Sequence, residues 1–259
     1  MINYKGKFAL VTGASEGIGK VYAERLAAEG CDLALVARSG QKLEEIAKRL
    51  EEKYNISCYV IPFDLSEVES AQYIASQMEV IGRPVDILIN NAGFATSGRF
   101  EDISADREQQ EIRLNIATLV DLTHKFLPGM LKRREGIIVN VASLAAFTPT
   151  PYSAVYGGTK AFVLSFTEAL WAELQGSGVR VLVLVPGATK TKFFDGNEGM
   201  MAKGASLSSP ESVVKHAFRG LQKGKHYIVV GKVNYWLAQL GRFMTRKRVA
   251  LFMEGLTRP

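Results

Sequence analysis

The chain has 259 residues, 47% of them apolar and 22% charged, which is enough to bury one large core and excludes an intrinsically disordered protein. Its net charge is +6. Residues 232–259 hold six cations (Lys232, Arg242, Arg246, Lys247, Arg248, Arg258) against Glu254, six minus one or +5, so the rest is near neutral and no nucleic acid is expected as a partner.

Seven short apolar runs rich in Val and Ile follow along the chain: 8–11, 33–36, 58–61, 85–89, 137–141, 179–185 and 227–230. They are continuous, not alternating, as in strands buried on both faces of a parallel sheet. Between them lie segments of helical period. Leu43, Ile46, Ala47, Leu50 and Tyr54 make one stripe after the second run, and a long helix is expected from about Ser153 to Gln175. The order βαβαβ with short links predicts a single α/β domain over 1–259. Its sheet is parallel, doubly wound and seven-stranded, of Rossmann type, with helices on both faces. Two segments fall outside the alternation: 190–209, read as a substrate loop, and a basic amphipathic extension, 232–259.

The first strand begins within ten residues of Met1, leaving no room for a signal peptide, and no apolar stretch approaches the roughly 20 residues of a membrane span. Cys31 and Cys58 lack metal spacing and read as two reduced thiols of a cytoplasmic protein. His124, His216 and His226 are scattered, so no metal site is expected.

The first strand runs into Thr12-Gly13-Ala14-Ser15-Glu16-Gly17-Ile18-Gly19 and then a helix. Glycines there let the backbone approach a pyrophosphate, and the helix N-terminus offers free N–H groups. The second strand ends Val36-Ala37-Arg38-Ser39, with no carboxylate to grip a ribose 2′-hydroxyl. Arg38 instead suits a 2′-phosphate, which favours NADP over NAD, although a solvated surface arginine is common. Glu16 weighs the other way, and Lys42 is a further candidate cation.

Tyr156 and Lys160 stand four apart at the start of the long helix, on one face. A lysine beside a tyrosine lowers its pKa and suits it to proton transfer at a carbonyl oxygen. Ser143 follows the fifth strand at the carboxyl edge, placed to hold a substrate oxygen, although a cap or turn serine is the default for such a residue alone.

Assembled, these residues resemble the short-chain dehydrogenase/reductase family, in its short single-domain branch, over about 7–227. The motifs are the glycine loop, Asp64 after the third strand, Asn90-Asn91-Ala92-Gly93 after the fourth, Asn115, Ser143, Tyr156, Lys160, and Pro186-Gly187 with Thr191. The resemblance implies that Tyr156 is the acid in reduction and the base in oxidation. Lys160 lowers its pKa and binds the nicotinamide ribose, Ser143 orients the carbonyl, and Asn115 holds a water of the proton relay. Gly13, Ser15, Glu16, Gly17, Ile18, Gly19, Asp64, Leu65, Asn91, Ala92, Gly93, Pro186, Gly187, Thr189 and Thr191 would hold the cofactor. It implies a homodimer or homotetramer and hydride transfer between NADPH and a carbonyl or alcohol carbon. A non-catalytic nucleotide-sensing or scaffold protein of the same fold is the rival reading.

Phe94, Ala145, Phe147, Phe193 and Phe194 read as walls of an apolar pocket, suited to a ketoacyl chain or steroid-like ketone, although ordinary core packing explains any one of them equally well. In the extension, Trp236, Leu237, Leu240, Phe243 and Met244, then Val249, Phe252, Met253 and Leu256, recur at helical spacing. Packing over the substrate mouth or another subunit is the leading reading, and weak contact with an anionic membrane surface the other.

Overall fold

The computed structural model describes residues 2–194 and 207–258, without the side chains of Phe194 and Leu240; 195–206, most of the expected substrate loop, lie outside the described residues. The seven runs form strands β1 (Phe8–Thr12), β2 (Asp32–Ala37), β3 (Cys58–Pro62), β4 (Ile87–Asn90), β5 (Gly136–Val141), β6 (Val179–Val185) and β7 (Tyr227–Val229). All pair in parallel, in the order β3-β2-β1-β4-β5-β6-β7. β4 starts two residues later than expected, and the Asp86 carboxylate just ahead of it accepts the Phe8 backbone N–H at 3.0 Å. Every residue of β1 and β5 is buried, as continuous apolar runs require.

Helices α1 (Gly17–Ala28), α2 (Gly40–Tyr54), α3 (Ser70–Ile81), α4 (Ala105–Ile112), α5 (Leu119–Arg133), α6 (Ala154–Glu173) and α7 (Pro210–Gln222) cover the sheet. The expected stripe Leu43, Ile46, Ala47 and Leu50 is the buried face of α2. Core clusters lie on both sides: one gathers Val11, Tyr22, Leu35 and Phe218, the other Leu10, Ile74, Leu88 and Leu122. A π-helical turn, Arg113–Thr118, joins α4 to α5. Such wide turns are rare and cluster at functional sites.

Chain order reverses between β1 and β4, and the crevice beyond their carboxyl ends is where ligands bind in open α/β sheets. The C-terminal extension folds as α8 (Lys232–Ala238), a 3-10 turn (Leu240–Arg242) and α9 (Arg246–Thr257). It closes back on the loop before α6: the Tyr152 hydroxyl donates to Glu254 Oε1 at 2.9 Å, and the Thr257 hydroxyl to the Pro151 carbonyl at 3.3 Å.

Candidate active site

Thr12 locks the switch point. Its hydroxyl donates to the Ile89 carbonyl at 3.1 Å and accepts the N–H groups of Asn91 and Ala92 at 2.9 and 3.0 Å. The Asn91 amide donates to the carbonyls of Thr12 and Gly13. Position 13 needs glycine on two counts: its backbone is left-handed (φ +65°), and a Cβ there would stand 2.7 Å from Asn91 Nδ2. The loop then delivers α1, whose first turn carries no acid, N-terminus first to the cleft. Glycines that admit close approach, with the free N–H groups of that terminus, fit a pyrophosphate.

The cleft is a cavity of about 1130 Å³. Of the residues assigned to the cofactor, Gly13, Ser15, Glu16, Gly17, Ile18, Arg38, Asp64, Leu65, Asn91, Ala92, Gly93, Tyr156, Lys160, Pro186, Gly187, Thr189 and Thr191 line it. Gly19 does not; it is buried against the Gly13 carbonyl and holds the loop from behind. Arg38 is exposed at the tip of β2. The charge of Glu16 is partnered, 3.6 Å from Lys42. Partial burial raises the Asp64 carboxyl, but hydrogen bonds from Ser66 and the nearby cations Arg38 and Arg107 outweigh it and hold the group below the usual carboxylate range.

At the other end Tyr156 and Lys160 occupy the first turns of α6, both buried. Lys160 Nζ donates to the Val141 carbonyl at 2.9 Å and lies 5.8 Å from the Tyr156 ring centroid. Burial lowers the Lys160 ammonium to about 8, with the negative charge of Glu111 opposing. Burial pushes the Tyr156 phenol up to about 12; a hydrogen bond with Ser143 opposes this and Glu111 adds to it. Burial is the largest influence on the phenol and outweighs the lowering that the spacing suggests. Ser143 is both a cap and a site residue: its Oγ accepts the Ala145 N–H at 3.2 Å and it faces Tyr156.

Asn115 sits in the π-helical turn, buried, outside the cavity lining. Its Oδ1 accepts the Phe94 N–H at 3.2 Å, and its Nδ2 donates to the Phe94 carbonyl and the Thr159 hydroxyl at 2.9 and 3.1 Å. A Cβ on Gly93 would stand 2.9 Å from Asn115 Oδ1 and 3.5 Å from Lys160 Nζ, so the absent side chain leaves room for both side chains behind the cleft wall. Phe94, Ala145 and Phe193 line the cavity, Phe193 with its ring 5.6 Å from that of Tyr156. Phe147 does not; it is partly buried and packs against the core cluster that holds Val163 and Val183. The Phe194 side chain lies outside the described residues. The extension supplies Leu237, Phe252, Met253 and Leu256, members of its expected apolar stripes, to the cavity lining.

Sequence reasoning missed Glu111. It is fully buried on α4, one helical turn before Asn115, and that acid-x-x-x-Asn spacing was the available signal. One carboxylate oxygen accepts the Thr96 N–H and hydroxyl at 2.9 and 2.7 Å; the other has no hydrogen-bond partner. Burial pushes the carboxyl above its ordinary value, Thr96 and Lys160 pull it back in part, and Glu108 adds to the rise. A folded-state pKa above the unfolded one gives stability that is present in acid and lost as pH rises through the carboxylate range. Glu111→Gln keeps an acceptor for Thr96 without the charge. It should melt above the wild type at pH 8, by about 2–4 °C per kcal/mol of relieved burial, and level with it at pH 4. A lower melting temperature at pH 8 would show that the charge stabilises the fold.

Among the described residues no group of acids, histidines and cysteines is arranged to hold a metal ion, and no helix is long and apolar enough to cross a membrane. A glycine cradle at the switch point and a buried tyrosine–lysine pair with its serine across one cleft define a dinucleotide-dependent oxidoreductase site.

Comparison with known proteins gives the family. The short chain dehydrogenase family matches residues 7–201. Hydroxysteroid dehydrogenase-like protein 1 of Gallus gallus is 34% identical over 85% of this chain and 67% of its own; the Homo sapiens protein of that name, marked inactive, is 31% identical over 91% and 70%. A very-long-chain 3-oxoacyl-CoA reductase of Meyerozyma guilliermondii is 33% identical over 84% of this chain and 65% of its own, so the chain spans about two thirds of these relatives. A short-chain dehydrogenase from Sphingobium yanoikuyae, solved with NADPH, superposes with a TM-score of 0.81 at 32% identity, covering 92% of this chain and 93% of that one. The chain belongs to the short-chain dehydrogenase family.

Proposed function

We propose that the protein is an NADPH-dependent reductase of apolar ketones, acting as a dehydrogenase when the supply of alcohol and NADP favours it. The observation that carries this reading is one continuous cleft with Arg38 at one end and buried Tyr156 with Ser143 at the other. The bound nicotinamide supplies or accepts the hydride. Ser143 Oγ holds the substrate oxygen and Tyr156 gives it a proton as charge develops there. Lys160, anchored by Val141, presents its ammonium behind the tyrosine and toward the nicotinamide ribose. Asn115 fixes the Phe94 backbone beside them and takes part in the relay that returns the proton to Tyr156. Phe94, Phe193 and the mouth residues Leu237 and Phe252 give the substrate an apolar surround, consistent with a ketoacyl chain or a steroid-like ketone. A nucleotide-sensing protein without turnover would have no use for a buried lysine and phenol at the end of the cleft.

The reading is tested by cofactor consumption with NADPH and NADH across ketones graded from small and polar to long-chain and steroidal. Turnover with NADPH that rises with apolarity is expected; cofactor binding without turnover on any of them would favour the sensing role. Arg38→Glu should lower kcat/KM for NADPH by roughly 10–100-fold, the worth of a charge-assisted pair to phosphate, and spare NADH. An unchanged NADPH constant would remove Arg38 as the phosphate reader.

A further inference from the structure

The C-terminal extension lends Val233, Leu237 and Phe252 to the cleft and carries a wider outer surface besides. Seven of the fourteen exposed large apolar side chains among the described residues lie in it, among them Phe243 at 79%, Val233 at 73%, Trp236 at 69% and Leu251 at 62% exposure. The inward face of α9 is Val249, Met253 and Thr257; its outward face carries Lys247, Arg248 and Leu251. On α8, Ala238 is buried, Lys232 and Val233 are exposed at the edge of the cavity, and Trp236 is exposed outside its lining.

The charge says what this surface meets. Lys232, Arg242, Arg246, Lys247 and Arg248 are exposed, and none forms an ion pair among the described residues. Three of them occupy the first turn of α9, which has no acid, although the dipole of a helix disfavours cations at that end. Their cost is offset if they face an external anion. Docking the surface on a second copy of itself across a two-fold axis would set these cations against their own images. Exposed aromatic and aliphatic side chains interleaved with Lys and Arg match the interface of an anionic bilayer, where rings sit at headgroup depth and long cationic side chains reach the phosphates.

We propose that α8, the turn after it and α9 form a docking surface for an anionic lipid bilayer, with Trp236, Phe243 and Leu251 among the lipids and the basic side chains on the headgroups. Leu237 and Phe252 belong both to this exposed surface and to the lining of the cavity mouth, so a docked molecule opens its cavity toward the bilayer. That last link rests on the apolar-ketone reading; the docking does not.

The test needs no turnover. The chain has two tryptophans, so Trp171→Phe leaves Trp236 as the sole reporter. The full chain is mixed with vesicles of phosphatidylcholine alone, or of phosphatidylcholine with phosphatidylserine. Co-sedimentation and a blue shift of Trp236 with the anionic vesicles only, fading as salt rises, are expected. The triple variant Arg246→Gln, Lys247→Gln, Arg248→Gln should bind them roughly 100-fold more weakly and reduce a water-soluble ketone at the wild-type rate. Trp236→Ala with Phe243→Ala should also weaken binding. Absence of binding to anionic vesicles, binding indifferent to salt and to the triple variant, or a concentration-dependent blue shift from self-association without lipid would each overturn the proposal. Vesicle binding by a chain that turns over no ketone would uphold the docking and sink only the substrate reading.

Discussion

Tyr156→Phe should lower kcat by about 10²–10⁴-fold, the usual share of a positioned proton donor, with cofactor affinity and melting temperature close to wild type. The change deletes one oxygen. The ring that packs 5.6 Å from Phe193 remains, and so does Lys160, anchored to Val141 and not to the tyrosine. What disappears is the proton that burial keeps on the phenol up to about 12 and the hydroxyl that faces Ser143. Single-turnover oxidation of NADPH, with cofactor binding followed by fluorescence, separates chemistry from binding. Turnover within a few fold of wild type would move proton delivery to another group; loss of cofactor binding would mean that the phenol is structural.

Gly19→Ala should cost stability and cofactor together. A Cβ there would fall on the Gly13 carbonyl oxygen and lie 2.5 Å from Asn91 Nδ2, backbone and amide that are themselves hydrogen-bonded. Neither can yield alone, because the Asn91 amide also bonds the Thr12 carbonyl. Overpacking of that kind costs about 3 kcal/mol, or roughly 10 °C in Tm, and the loop should open enough to weaken NADPH binding at least tenfold. Gly158→Ala is the control, since a Cβ at Gly158 would meet nothing within 4 Å. Equal behaviour of the two variants would refute a rigid loop.

Much of this was legible in the sequence because it is local. A continuous Val- and Ile-rich run marks a buried strand wherever it occurs, and all seven runs became strands of the one parallel sheet. Tyr156 and Lys160 share a helical face because four residues make about one turn, and the glycine loop carries its own backbone requirement. The residues that line one cleft were therefore nearly all nameable from local motifs and the family they resemble. The misplaced and missing residues are those whose role depends on a partner far along the chain. In the sequence Phe147 reads like Ala145 and Phe94, and only its packing against the cluster of Val163 and Val183 keeps it out of the cavity lining.

The sequence alone determined the order of strands and helices, the glycine cradle, the tyrosine–lysine pair and the charge asymmetry of residues 232–259, all set by composition and by spacings within a turn or a strand. Tertiary structure alone decided that Thr12 ties β1 to the segment after β4 across 79 residues, that Glu111 is buried within electrostatic reach of Tyr156 and Lys160, and that the extension closes over the mouth through Tyr152 and Glu254, 102 residues apart. Burial and hydrogen bonding between distant segments exist only once the chain has folded, and they set the protonation of the site and the surface that surrounds it.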